Sequence, residues 1–316
     1  MLSCLTGAPR LEQTAPSAPA LAEGPAEEPF CLMSWNLGFG GLGRGAEFCP
    51  DGGHRLIPSP KSEVRANLEG IASVLSLWRA DAYLFQEAAL PSAVNHGQDL
   101  LAALTRSLPS CWRSYSPAVQ LRFPGVDIGQ ATFSRLQPQA VERVELPAEE
   151  RGSPVRQRQH LLVSRFALPG RGRQLVLANV HLSAFDREAR TRLRQLSAVA
   201  GFMEAEEARG NYVVLGGDWN LVLADTRFAY TTKERFLSWL HPLPEGFPPP
   251  GWRKLVDPRT PTVRTLERPY AAGANFTTII DGFFLSPGVT PLSVQTIDLG
   301  FRFSDHQPVL LKFHLE

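Results

Sequence analysis

From Phe30 onward the chain alternates between two hydrophobic periods. Phe30-Cys31-Leu32-Met33-Ser34-Trp35 is a nearly unbroken apolar run of strand length. Residues 61–79 then space Val64, Leu68, Ile71, Leu75 and Trp78 by threes and fours, which predicts one apolar helical face. Residues 82–86 read as a strand and 92–108 as a second helix. Successive strands are expected at 130–134, 140–146, 160–168 and 174–182, separated by turns containing Pro and Gly. The helical signal returns over 187–209 through Leu193, Leu196, Ala200 and Met203, and a strand follows at 212–216. Residues 241–274 hold many prolines and little periodicity, so a long surface excursion is expected there, of the kind that often carries function. Closing strands are expected at 276–285, 292–299 and 308–315, and there is no internal repeat.

Many strands with a few interspersed helices suit an α+β domain of two β-sheets packed face to face with helices outside. Candidate site residues run from Asn36 to His306, which favours one domain over 30–316. Residues 1–29 lack either period and are rich in Ala, Pro, Glu and Gly, so a disordered tail or tether is expected. At 316 residues and 43% hydrophobic content the chain can bury a full core. Its net charge of +1, from 32 basic and 31 acidic residues, supplies no global field, so a nucleic-acid partner is neither demanded nor excluded. Cys4, Cys31, Cys49 and Cys111 lack zinc-site spacing or a disulfide framework. No apolar run is long enough to span a bilayer. Met1-Leu2-Ser3-Cys4 resembles the end of a bacterial lipoprotein signal with Cys4 as acceptor, although no apolar stretch precedes it. Location is therefore open between cytoplasmic and exported or lipid-anchored, and a monomer is expected.

Chemistry is concentrated in five clusters: Trp35-Asn36, Gln86-Glu87, Asn179-Val180-His181-Leu182, Gly217-Asp218-Trp219-Asn220 and Ser304-Asp305-His306. The first four follow strongly β-forming runs, and the last precedes one. Any one alone marks a turn more often than a site. Together, at strand ends that would converge on one rim, they point to a metal-assisted phosphoester hydrolase.

In content and order these clusters resemble the endonuclease/exonuclease/phosphatase (DNase I-like) superfamily over about residues 30–316, including its little-characterised bacterial members. The resemblance implies a four-layer α/β/β/α fold with mixed, mainly antiparallel sheets. It implies that Asn36, Glu87 and Asp305 ligate Mg²⁺ or Mn²⁺, a choice that oxygen donors suit. His181 would hydrogen-bond the scissile phosphate, Asp218 would orient or deprotonate the attacking water, and Asn220 would donate to the phosphate. Asp281 would hold His306, which acts as base or as stabilising cation. Arg135, after Gly129-Gln130-Ala131-Thr132-Phe133-Ser134, corresponds to a basic residue near the substrate. Arg192 and Gln195 read as supporting residues. Residues 38–60 form an insertion whose Asp51 and His54 read as turn residues before ligands. Within a phosphodiesterase reading, nuclease activity ranks ahead of phospholipid (sphingomyelinase-like) or inositol- and sugar-phosphate hydrolysis. A lipid substrate would be favoured by an exposed apolar loop at 243–252. A non-catalytic binding module is a more distant alternative.

Overall fold

The computed structural model describes residues 10–13, 29–121, 125–148, 157–168, 170, 172–184 and 188–316. In chain order the elements are β1 (Arg10–Gln13), β2 (Phe30–Asn36), α1 (Lys61–Leu77), β3 (Ala82–Ala89), α2 (Leu100–Ser107), β4 (Trp112–Leu121), β5 (Val126–Ser134), β6 (Ala140–Glu145), β7 (His160–Ala167), β8 (Gln174–His181), α3 (Arg190–Ala208), β9 (Tyr212–Asp218), β10 (Arg253–Leu255), β11 (Val263–Arg264), β12 (Thr277–Thr278), β13 (Asp281–Leu285), β14 (Val289–Thr296) and β15 (Val309–Leu315). Seven strands form one sheet in the order β1-β4-β5-β3-β2-β15-β14 and six form the other, β10-β13-β9-β8-β7-β6.

Each sheet has one parallel pair, β2 with β3 and β8 with β9, and the crossovers between them are α1 and α3. Alternation along the strands produces the layers. Leu32, Leu84, Leu177, Val214 and Phe283 meet between the sheets. Met33, Trp35 and Phe85 point the other way, against Ile71 and Leu75 of α1 and Leu100 and Leu104 of α2. Val176, Ala178 and Val213 pack under Leu196, Val199 and Met203 of α3. The result is the four-layer DNase I-like fold, with helices on the two outer faces. Among the described residues no helix is long and apolar enough to cross a membrane.

The structure departs from or adds to the sequence reading at several places. The helix expected at 92–108 splits into a 3₁₀ turn at Ala93–Asn95 and α2, because the chain turns left-handed at His96 and Gly97 and Asp99 caps the new helix by accepting from the Ala102 N–H at 2.8 Å. β4 was missed because its inner face carries Ser114 and Ser116, both buried. The buried face of α3 runs through Arg192, Gln195, Leu196, Val199, Met203 and Glu206, while Leu193 is 46% exposed. The large apolar residues of 243–252 are drawn inward: Trp252 is buried, and half-buried Phe247 packs on Trp219 and Phe284. Within the segment read as tail, Arg10–Gln13 pair antiparallel with Trp112 to Tyr115 at the sheet edge, and residues 1–9 and 14–28 lie outside the described residues.

Candidate active site

Strand direction gathers the site. The parallel strands β2, β3, β8 and β9 all end at one rim, where antiparallel β13 and β15 begin. That rim therefore receives Asn36, Glu87, His181, Asp218 and Asp281, with Asp305 and His306 just before β15. A bulge between Phe85 and Ala88 and a left-handed Glu87 (φ +50°) turn that carboxylate out of the pleat. Gly217 is required by close approach, since a Cβ there would lie 1.9 Å from the Val180 carbonyl oxygen.

Below the rim lies a buried polar layer between the sheets. Gln86 donates to Asn179 Oδ1 at 2.8 Å, Asn179 donates to the carbonyls of Phe85 and Ala131, and Gln130 donates to the Asn179 carbonyl at 2.9 Å. These bonds cross from one sheet to the other, so they fix the relative position of the two strand sets that carry the site.

Above it, His306 Nδ1 lies 2.9 Å from Asp281 Oδ2 and His306 Nε2 lies 3.7 Å from Asp218 Oδ2. His181 Nε2 is 3.7 Å from the same Asp218 oxygen and 3.9 Å from Glu87 Oε1. Asn36 bridges the two sheets by donating to Asp218 Oδ2 at 3.0 Å and Glu87 Oε1 at 3.3 Å. Asn220, also left-handed (φ +50°), donates its main-chain N–H to Asp218 Oδ1 at 2.9 Å and its amide to the Leu182 carbonyl at 2.9 Å. Ser304 donates to the Asn36 carbonyl at 2.8 Å and accepts from the His306 N–H at 3.2 Å, pinning the last cluster to the first.

Burial governs the electrostatics. It pushes Asp218 up to about 7, assisted by Asp281 and opposed by His306. It pushes Glu87 up to about 8, with the neighbouring Asp305 charge adding to the effect, and raises Asp305 as well. Burial alone would lower His306, but the charges of Asp281 and Asp218 hold it well above the usual histidine value. His181, desolvated and facing that cation, falls to about 3 and is neutral.

Supporting residues come from the helix and the proline-rich segment. Arg192 donates to the carbonyls of Asn220 and Trp239 at 2.6 and 2.7 Å, and Gln195 accepts from Ser183 N at 3.0 Å, so α3 holds the turns after Asp218 and His181. Arg264 was missed by sequence reasoning; Val263-Arg264-Thr265-Leu266 alternates, and that was its signal. β11 bridges to His306 through Val263, Arg264 N donates to the Asp305 carbonyl at 3.0 Å, and the guanidinium donates to the Gly43 carbonyl at 2.7 Å.

Arg135 requires a correction. Ser134 pairs with Ala82 at the start of β3, five residues before Glu87, which places Arg135 about 17 Å along the strand from the site rim, where it pairs with Asp81 at 3.2 Å. Asp51 lines the site pocket and burial pushes it up to about 7, whereas His54 is exposed.

The donor types at Asn36, Glu87 and Asp305 suit a hard cation: a half-buried and a buried carboxylate, the Asp305 charge raising Glu87, and a carboxamide whose amide donates to Glu87 while its oxygen accepts from the Gly38 N–H. A separate group, Asp218, Asp281 and His306, has ligand atoms within 4.8 Å of one another. There the His306 Nδ1 is already engaged by Asp281, so the all-oxygen set suits Mg²⁺ or Mn²⁺ better.

Residues 33–306 match the Endonuclease/Exonuclease/phosphatase family. Among solved structures, an endonuclease/exonuclease/phosphatase from Beutenbergia cavernae is 19% identical, with 92% of this chain and 72% of that chain covered at a TM-score of 0.57. TDP2 of D. rerio complexed with single strand DNA product is 16% identical, with 90% and 98% covered at 0.58. The human Nocturnin catalytic domain with bound sulfate is 17% identical, with 91% and 95% covered at 0.55. No curated protein matches the chain.

Proposed function

The chain belongs to the endonuclease/exonuclease/phosphatase family of phosphoester hydrolases, and from that premise we propose that it is a Mg²⁺- or Mn²⁺-dependent phosphodiesterase in which water attacks phosphorus in line with the leaving oxygen. The observation that carries this reading is the convergence of His181, Asp218, Asn220 and His306 with Glu87 and Asp305 on one pocket.

Asp281 accepts from Nδ1 of His306, which leaves Nε2 facing Asp218 and the pocket. Held protonated by its two carboxylate neighbours, His306 places positive charge where the phosphoryl group gains negative charge. Asp218, shifted to about 7, is suited to take a proton from water near neutral pH. Its Oδ1 accepts from the Asn220 N–H and its Oδ2 from Asn36, and Oδ2, which lies 3.7 Å from both His181 Nε2 and His306 Nε2, is the oxygen turned to the histidines. Neutral His181 donates one N–H to a phosphate oxygen, and Asn220 offers its remaining amide hydrogen. Asn36, Glu87 and Asp305 would hold the cation, which when bound supplies Lewis-acid stabilisation of the phosphoryl oxygens.

Hydrolysis of bis-p-nitrophenyl phosphate with Mg²⁺ or Mn²⁺ tests this. EDTA should abolish turnover, and Glu87→Gln should raise the metal concentration needed by an order of magnitude or more, about 10-fold. Full activity in EDTA would sink the metal assignment. A nucleic-acid substrate finds support in the single strand DNA product bound to D. rerio TDP2, which shares the fold. The composition of this chain's own pocket supports a different substrate class.

A further inference from the structure

The catalytic cluster is only the floor of its pocket, a cavity of about 470 Å³ whose walls are largely apolar. One wall is the end of the β4–β5 hairpin, where Val119 pairs with Ile128 and Leu121 with Val126. On the opposite face of the same hairpin Gln120 donates to Asp127 at 2.9 Å, so the hairpin turns an apolar face to the pocket and a polar face away. Phe48 and Val94 continue this apolar lining, packed together with Ile128 against the buried cluster of Phe39, Leu42 and Leu266. All six side chains at the mouth are only half-buried.

Single apolar residues at a surface need no explanation, but six converging on an open space beside polar catalytic groups form a contiguous patch of the kind that takes a ligand. Among the described residues Arg264 is the one Arg or Lys lining this pocket, and its guanidinium is directed at the carbonyls of Gly43 and Thr265, at 2.7 and 3.1 Å. It thereby braces the loop of residues 42–46 against β11.

We propose that the substrate is a phosphodiester bearing an apolar alkyl or aryl group. That group lies against the apolar lining made by the hairpin, Phe48 and Val94, and the phosphate sits on the catalytic floor. This rests on the phosphodiesterase reading above. Water adds to phosphorus, the bond to the leaving alcohol or phenol breaks, and the proton lost by water is balanced by the one the leaving oxygen acquires.

The test is a series of alkyl p-nitrophenyl phosphates, methyl to octyl, with the thymidine 5′-ester for comparison, all below their micellar concentrations with saturating Mn²⁺. Burying each added methylene should raise kcat/KM roughly threefold until the pocket is full, so that the octyl ester exceeds both the methyl and thymidine esters by about 100-fold. Ile128→Asp and Phe48→Asp should each bring the octyl-to-methyl ratio to within about threefold, since a charge there has to be desolvated by the alkyl chain. The ratio is read on one preparation, so loss of folded enzyme cancels from it. A flat series, or a preference for the thymidine ester, overturns the inference and leaves hydrolysis standing. Failure to cleave any ester overturns the underlying reading. Micellar sphingomyelin distinguishes the source: cleavage comparable to the octyl ester makes the apolar group a lipid chain, and cleavage of monomeric esters alone makes it a small soluble one.

Discussion

Asp281 and His306 work through one hydrogen bond, and their substitutions should reveal it. Asp281→Asn removes the charge that fixes the imidazole, and His306→Ala removes the group it fixes. Each should lower kcat by roughly 10²–10⁴-fold, and the double variant should be little worse than His306→Ala alone. Multiplicative losses at saturating metal would show that the residues act independently. Another histidine matters to stability. His160 is fully buried at the start of β7, its Nδ1 is 2.9 Å from the Arg158 carbonyl, and burial together with Arg143 lowers it from 6.5 to about 4. Between those values the unfolded chain holds a proton that the folded chain does not. Stability from this group is therefore complete above about pH 6.5 and is lost as pH falls toward 4. The urea-derived stability lost from pH 7 to pH 5 should be smaller by about 2 kcal/mol in His160→Met than in the wild type. Equal losses in the two proteins would refute the desolvation account.

At the scale of elements, the central parallel pair of the second sheet depends on Gly217. The approach of β8 leaves no room for a methyl group, because the obstructing atom is a backbone carbonyl that cannot swing aside. Gly217→Ala should destabilise the fold by at least about 3 kcal/mol, read as a lower urea midpoint, and should displace Asp218 enough to cost activity even where the protein remains folded. Unchanged stability would mean that β9 can shift away from β8 at little cost. The helix α3 shows how an element's orientation can be hidden. Its apolar residues suggest a face through Leu193 and Ala200, but the buried face holds Arg192, Gln195 and Glu206. Each of these finds a partner far away in sequence: Arg192 at Trp239, Gln195 at Pro147, Glu206 at Arg165. A polar residue with a distant partner looks, in the sequence, like one facing water.

For the whole molecule, the N-terminal segment offers a direct test. β1 joins the edge of β4 at Trp112 to Tyr115, and Trp112 pairs with Ser134, at the rim opposite the site. A chain beginning at Pro29 should retain its turnover and lose no more than about 3 °C in Tm, because among the described residues it removes a short edge strand alone. A large loss of activity would show that the segment reaches the catalytic rim.

By itself the sequence determined the local facts: where apolar runs alternate with helical periods, and which polar residues stand directly at strand ends. Those facts suited two packed sheets with helices outside and marked polar residues at strand ends, and the resemblance to the family gave those residues their expected roles; the structure brings Asn36, Glu87, His181, Asp218, Asp281, Asp305 and His306 to one rim. Sequence reasoning misplaced Arg135 because strand direction is set by pairing, and antiparallel β5 carries that residue away from the rim at which β3 ends. Tertiary structure alone decided the inter-sheet layer of Gln86, Gln130 and Asn179, the burial of Trp252, and the apolar pocket lined by the β4–β5 hairpin and Phe48. Each of these arises from desolvation and contact between segments remote in sequence, which a local pattern of hydrophobic and polar residues does not encode.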